Sequence, residues 1–518
     1  MVSDRITLKK LVFSVLAIST IFVSSVEALE DGPGHMHQRA QGYMQWLHKW
    51  SLPAGGVSRV HFTNTSLQEV DEYEGMSDSA IWTGTYLASE ALRYMATGSP
   101  DALEQIRRTV ETLHHWWNVA GDPGVLARYA APVDSDPKIV DIFFSGNLKD
   151  HQNQPYNGTY WHWRGRVSRD QYQGVMLGFS LAYEACEDPY TRALIREDVV
   201  EFVEQLMRKE DRRINLKING INTTVTAELQ YVVTWDDETP DGIPAIEINT
   251  SDIEEAGLSG ILDFWPNPSE ILREIPLLSW LPDLTFPTQA IQLASHFLVA
   301  LQVTEGVAEY AQRHDAIRRH YEEKIDEWLD IAAGWTYTNS CGEKYYGFNI
   351  AFQPLFNLAR LETDPQRSVR IRTEILRDRL WNEVADHKNV FFAYIYASQA
   401  HPDDNVATIV ATHTAQLDLF PAAPFVDMAQ DLSGLYPESE SCPGISAIAT
   451  DLDDRVHETF IWQKDPWRLT NDGSSTTVHA GIDYLIAYWM GRYYGYIKDE
   501  APAAAKTMPG IILLLLGD

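Results

Sequence analysis

Ser77-Asp78-Ser79-Ala80-Ile81-Trp82-Thr83-Gly84-Thr85-Tyr86-Leu87-Ala88-Ser89-Glu90-Ala91-Leu92 runs on to Thr97, and Gly98-Ser99-Pro100-Asp101 then restarts the chain. The first segment has helical spacing but is small or apolar nearly all round, as a buried helix is. Gly98-Ser99-Pro100 is a stop followed by a cap and a first-turn proline. The segment after it, Asp101 to about Val119, carries its charge on one side and belongs outside. A buried helix joined tightly to an amphipathic one is a helical hairpin.

The pattern recurs. All-round apolar segments lie at 78–97, 170–186, 289–304, 348–362, 389–398 and 477–497. One-sided segments follow at 101–119, 190–209, 306–332, 365–384 and 403–417, and 35–50 supplies a sixth. Links from inner to outer partner are short, whereas links back to the next inner segment are mostly long. The expected fold is all-α: an (α/α)6 toroid of six inner and six outer helices spanning residues 29–500. An irregular bundle or an open solenoid is the competing architecture, and no fixed-period repeat favours the solenoid. Residues 212–250 depart from the pattern. Two alternating stretches around Asn219-Gly220 read as an inserted β-hairpin. Residues 251–288 are irregular, and 419–474 read as one long loop.

The ends have a different grammar. Arg5, Lys9 and Lys10 precede an apolar run from Leu11 to Val26, and Val26-Glu27-Ala28 offers small residues for cleavage. That is the form of a secretory signal peptide over 1–28, with a membrane anchor as the alternative. Export to the periplasm or outside the cell is expected. In the tail, 501–518, the apolar run Ile511–Leu516 is too short to span a bilayer, so no stable membrane insertion is expected once the signal is removed. The net charge of −32 argues against nucleic acid and anionic membranes as partners. Three cysteines, Cys186, Cys341 and Cys442, are too few for a disulfide framework. An oxidising compartment permits one bridge, with Cys341 to Cys442 the pairing considered. Asn64, Asn157, Asn222 and Asn249 stand in glycosylation sequons. No Cys or His spacing suggests a metal, and no cofactor is expected. The acidic run Asp451, Asp453 and Asp454 lacks the glycine and spacing of a calcium loop. Oligomeric state is not legible.

In such a ring the inner helices run one way, so their positive N-terminal ends converge on one face. Two of them open alike. Asp78 follows Ser77 and precedes Trp82 and Gly84; Asp170 follows Ser168 and precedes Tyr172 and Gly174. Two carboxyls beside an aromatic wall can split their pKa values into an acid and a base or nucleophile. The plainer alternative is that each Asp only complements a helix dipole. Trp161, His162 and Trp163 precede the second aspartate, with Arg164, Arg166 and Arg169 around them; Arg128 lies in another aromatic-rich stretch. Clustered guanidinium groups suit a uronate or another anionic sugar, unless they simply pair with local acids. Tyr346 and His479 complete the candidate binding residues. The 16 Trp, 24 Tyr and 18 Phe suit sugar stacking as well as a large core.

The helix alternation, with Asp at inner-helix starts, resembles the six-hairpin glycosidase-like superfamily. The aspartate pair is similar in arrangement to that of the unsaturated glucuronyl hydrolases. The likeness covers most of the mature chain as a pattern rather than a signature, and 212–250 and 419–474 lie outside it. It implies glycan cleavage with Asp78 and Asp170 as acid/base residues. Three classes therefore stand. The first is a glycoside hydrolase on an acidic oligo- or polysaccharide, with Asp170 as general acid and Asp78 its partner. The second is a polysaccharide lyase or uronate epimerase, in which Tyr172 or His162 takes a proton and Arg166 holds the carboxylate. The third is a non-catalytic glycan-binding or envelope protein.

Overall fold

The computed structural model describes residues 34–498, except 148, 166–167, 219–220, 231–245, 249–263, 268, 270–272, 274–284, 338–340, 402–403, 423–424, 428, 456–459. The expected signal peptide, the 501–518 tail, Arg166, the Asn249 sequon and the Asn219-Gly220 turn lie outside the described residues, as does much of 251–288.

The chain is mostly helical. Twelve helical segments carry it among the described residues: α1 His35–Trp50, α2 Ser79–Thr97, α3 Pro100–Asn118, α4 Arg169–Ala185, α5 Pro189–Met207 and α6 Pro287–Thr304. Then come α7 Ala311–Ala332, α8 Tyr346–Leu361, α9, α10 Val390–Gln399, α11 Val406–Asp418 and α12 Ile482–Tyr493. Segment α9 opens as Pro365–Arg370, continues as a π-helix over Ile371–Trp381 and closes with Asn382–Val384.

Three of the hairpin corners share one device. Ser99, Asp188 and Asp364 each cap a helix whose first residue is proline: Pro100, Pro189 and Pro365. The side-chain oxygen satisfies an orphan N–H, and proline removes another while fixing φ. At the first corner Gly98 takes φ 65°, and its N–H closes on Tyr94 O at 2.7 Å.

The two kinds of helix differ as expected. Every residue of α2 from Ser79 to Arg93 is buried. In α7 only Ile317, Tyr321, Ile325, Trp328, Leu329 and Ala332 are, a single stripe. The even-numbered helices pack in sequence around a closed circuit: α2 on α4, α4 on α6, α6 on α8, α8 on α10, α10 on α12, and α12 back on α2. Helices α3, α5, α9 and α11 each lie against two neighbouring members of that circuit, α7 lies against α6, and α1 against α12. Close approach of α2 and α4 depends on glycine. A Cβ on Gly84 would lie 2.3 Å from Gly174 C and O, and one on Gly178 would lie 2.4 Å from Gly84 O.

Small sheets depart from the all-α expectation. Strands β1 Arg59–Phe62 and β2 Val70–Glu74 join β12 Ser474–His479 and β9 Phe425–Asp427 in the order β2-β1-β12-β9. Strands β3 Tyr129–Pro132, β4 Asp150–Tyr156 and β5 Thr159–Arg164 make a second sheet before α4. Because β12 occupies residues 474–479, the last helix starts at Ile482 rather than near Thr477. The expected hairpin is formed by β6 Lys209–Ile218 and β7 Ile221–Gln230, and Ile218 pairs with Ile221, the register of a two-residue connection. A short parallel β8, Ile246–Ile248, extends it. The long loop also holds β10 Gln430–Asp431 and β11 Thr470–Asn471, and the Cys341–Cys442 bridge, Cα–Cα 5.6 Å, staples it to the segment before α8. In the acidic run, Asp451 binds Lys388 Nζ at 2.6 Å and Asp454 accepts from Tyr436 at 2.7 Å. None of the described helices is long and apolar enough to cross a membrane.

Between α3 and α5, Asp198 is fully buried against His114 Nδ1 at 2.9 Å and Asn118 Nδ2 at 3.0 Å. Burial raises its pKa from 3.8 to about 7, against the pull of His114, and that of His114 is raised by Asp198 despite burial. The folded state thus holds a proton that the unfolded chain releases, so stability falls as pH rises from the ordinary carboxyl range toward about 7. Denaturation of wild type and Asp198→Asn at about pH 5 and about pH 8 should show a steeper loss in wild type. Equal losses would mean the pair does not couple to folding.

Candidate active site

A cavity of about 370 Å³ opens where three circuit helices begin. Helix α2 supplies Asp78, its N-cap residue, with Ile81 and Trp82; α4 supplies Asp170 from its first turn; α8 supplies Tyr346 and Ile350, with Tyr345 just before it. The remaining wall is loop: Gly342 and Lys344 before α8, and Gln463, Lys464, Asp465 and Arg468 before β11. Gathering of α2, α4 and α8 by their N-termini places their dipoles' positive ends at one mouth.

Local sequence explains the placement of Asp78. Gly75 adopts φ 82°, which admits a 3-10 turn over Met76–Asp78. Ser77 therefore does not cap α2; that position is taken by Asp78 without a side-chain cap bond. Its side chain is 51% exposed, and Oδ1 lies 3.6 Å from Arg128 Nη1 and 3.3 Å from Gln171 Nε2. Arg128 also donates to Ser77 O at 2.7 Å. Although half its side chain is accessible, the cavity walls partly desolvate the Asp78 carboxyl and raise its pKa, the negative charge of Asp170 adds to the rise, and Arg128 and Lys464 oppose it.

Asp170 sits one residue before the bridging glutamine. Its Oδ1 accepts from Ser168 Oγ and from the Gln171 N–H at 3.0 Å. Buried Gln171 thus touches both aspartates: its backbone N–H holds Asp170, and its amide N–H reaches Asp78. Its Oε1 accepts the Ile81 N–H at 3.0 Å, locking α2 to α4 beneath the carboxyls. No spacing rule singled out this residue.

Aromatic and cationic groups frame the pair. Trp82 stacks on Phe460 at 4.7 Å and 27°, and Tyr346 is 49% exposed at the rim. Lys344, Lys464 and Arg468 line the same wall, with Asp465 among them. Lys344 holds φ 58°, a conformation costly for a side-chain-bearing residue and one that the surrounding structure must hold in place. Gly342, at φ 78°, leaves room for Asp465, whose Cβ and carboxyl carbon a Cβ there would meet at 2.7 and 2.9 Å.

Of the residues read from sequence, Asp78, Asp170, Trp82 and Tyr346 meet in the cavity, and Arg128 touches it through Asp78. The others lie elsewhere. Tyr172 is fully buried, its hydroxyl donating to Gly124 O at 2.7 Å and accepting from the Leu126 N–H at 2.8 Å. His162 is buried on Phe143 at 5.4 Å and against Phe144 at 5.2 Å, and burial lowers its pKa. Trp163 stacks on His151 at 3.8 Å, and Trp161 packs with His115 and Tyr156. Arg164 is held by Asp150 at 2.6 Å across the β4–β5 pair. His479 is buried on β12, outside the cavity lining. Asp483, at the start of α12, accepts from the Ile461 N–H at 3.2 Å and so anchors the loop that carries Gln463 and Lys464.

No known family profile matches the chain, and no curated protein matches it in sequence. Among solved structures it is similar to a crystal structure of a sugar epimerase from a ruminal bacterium. That likeness has TM-score 0.40 and 11% identity, and covers 89% of this chain and 98% of the other.

Proposed function

We propose that this chain is an exported carbohydrate-active enzyme on an (α/α)6 toroid, a glycoside hydrolase that cleaves an acidic, uronate-containing oligo- or polysaccharide. The observation that carries this reading is the single cavity in which Asp78 and Asp170 meet Trp82, Tyr346 and three cationic side chains. Two carboxyls on one mouth, in different environments, are the equipment of glycosidic cleavage. The closed circuit of even-numbered helices supports the toroid. The leader grammar of residues 1–28 and the Cys341–Cys442 bridge support export.

The two environments support roles opposite to the sequence expectation. Asp78, with its pKa raised by burial and by its neighbour, is the proton donor to the leaving oxygen. Asp170, accepting two hydrogen bonds, is the partner carboxylate that activates water or attacks the anomeric carbon. Tyr346, half exposed at the rim, offers a face for a sugar ring, and Trp82 backs the cavity wall. The anion is met by Lys344, Lys464 and Arg468 on the cavity wall.

Incubation with uronate-containing oligosaccharides tests the proposal. New reducing ends without ultraviolet absorbance are expected. An unsaturated, absorbing product would assign a lyase, inverted stereochemistry without chain scission an epimerase, and binding without turnover a lectin-like protein. Lys464→Ala should raise KM for the uronate substrate about tenfold, the equivalent of one charge-assisted hydrogen bond, and leave KM for a neutral analogue unchanged. Equal losses on both would remove Lys464 from anion recognition.

A further inference from the structure

The geometry points to a divalent transition-cation site on the outer face of the β1–β2 hairpin, formed by His61, Glu72 and Glu74. Antiparallel pairing sets His61 directly opposite Glu72, and Glu74 stands two residues on. The period-two alternation of a strand puts both carboxylates on the same side. One donor atom from each of the three residues lies within 4.8 Å of the other two. Val60, Phe62 and Val70 turn the opposite way, into a small apolar cluster with Val478. The hairpin therefore has one packed face and one face of converging ligands.

A tetrahedral cation bound at about 2.1 Å separates its ligand atoms by about 3.4 Å. Closing from a spacing of at most 4.8 Å takes up to about 1.4 Å of side-chain adjustment, which part-exposed rotamers on a surface strand can supply. The second shell is present. Thr476 Oγ1 lies 3.1 Å from His61 Nε2 and is backed by Ser474 Oγ at 3.1 Å, so a hydroxyl orients the ring and leaves Nδ1 to coordinate. Arg59 Nε, 2.7 Å from Glu74 Oε2, is the local counter-charge. It would keep that oxygen while the cation takes the other. One imidazole nitrogen with two carboxylate oxygens favours Zn2+, then Mn2+, over Mg2+. Water completes the shell. Strand β2 runs through Gly75 into Asp78, so the bound ion would tie down the approach to the cavity. The site itself is independent of the glycan reading.

Untagged, chelator-stripped protein titrated calorimetrically with ZnCl2 should bind one equivalent in the micromolar range, with MnCl2 weaker and MgCl2 silent. His61→Ala and Glu72→Gln should each weaken Zn2+ at least tenfold and abolish the Zn2+-dependent rise in melting temperature. Both variants should melt like wild type in chelator. If His61→Ala misfolds, exposed Glu72→Gln decides. Absence of binding below millimolar Zn2+, or undiminished binding by the folded variants, overturns the site.

Discussion

Asp78→Asn is expected to lower kcat/KM on a uronate-containing substrate by about 10²- to 10⁴-fold, the range that a positioned proton donor contributes. The fold should survive. The side chain is half exposed, makes no cap bond and keeps a possible acceptor for Gln171 after the change. The folded-state pKa of Asp78 is raised, so the native state loses stability as pH climbs through it. Asparagine removes that penalty, and the variant should melt no lower than wild type at neutral pH. The neighbouring charges give a sharper test. Asp170 raises the pKa of Asp78, so in Asp170→Asn the residual activity should lose its acid form at lower pH: the alkaline limb of kcat/KM shifts down. Arg128 lowers that pKa, and Arg128→Met should shift the same limb up. Limbs that stay put in both variants, or normal turnover by Asp78→Asn, would take the proton-donor role away from this residue.

The helical hairpins were legible because their signals are local. A cap followed by proline, and a switch from all-round to one-sided apolarity, both lie within a few turns of sequence, and the boundaries fall within a few residues. The aspartate pair was legible for the same reason, since each stands at a helix start. What failed was whatever depends on pairing distant segments. Residues 159–164 were read as a run-in to α4 rich in binding groups, yet they form a strand. Strand pairing puts Arg164 opposite Asp150 and Trp163 opposite His151, which satisfies them structurally. Lys344, Lys464 and Arg468 escaped notice because their loops have no periodicity. They reach the cavity through the Cys341–Cys442 staple and the Asp483 anchor, and neither can be computed from neighbours in sequence. Ser168 is the N-cap of α4 by position, but its hydroxyl engages the Asp170 carboxylate instead of a backbone N–H.

Gly84→Ala should destabilise the protein by about 3 kcal/mol, the upper end of ordinary overpacking, measured by denaturant unfolding. In a helix interior the same change normally gains up to about 1 kcal/mol, so the sign itself is informative. A methyl at Gly84 would lie 2.3 Å from Gly174 C and O and 2.4 Å from Val175 N, all backbone, which cannot rotate away. Helices α2 and α4 would have to part. Gly174→Ala should behave likewise, because its Cβ would meet Ile81 O at 2.5 Å and Ile81 Cα at 2.7 Å. Gly347 is the control: it too is helical, and nothing lies within 4 Å of its added Cβ, so alanine there should be neutral or stabilising. The consequence reaches the chemistry. Gly84 stands six residues beyond Asp78, and Gly174 four beyond Asp170, so the contact lies under both carboxyls. The Gln171 bridge from Asp78 to the Ile81 N–H spans the same seam, and its bonds at 3.3 and 3.0 Å leave little slack. Either alanine variant, studied where it is still fully folded, should therefore also lose turnover under the proposed mechanism, since parting the helices separates Asp78 from Asp170. Stability lost with turnover intact would show that the seam holds the fold without setting the geometry of the aspartate pair.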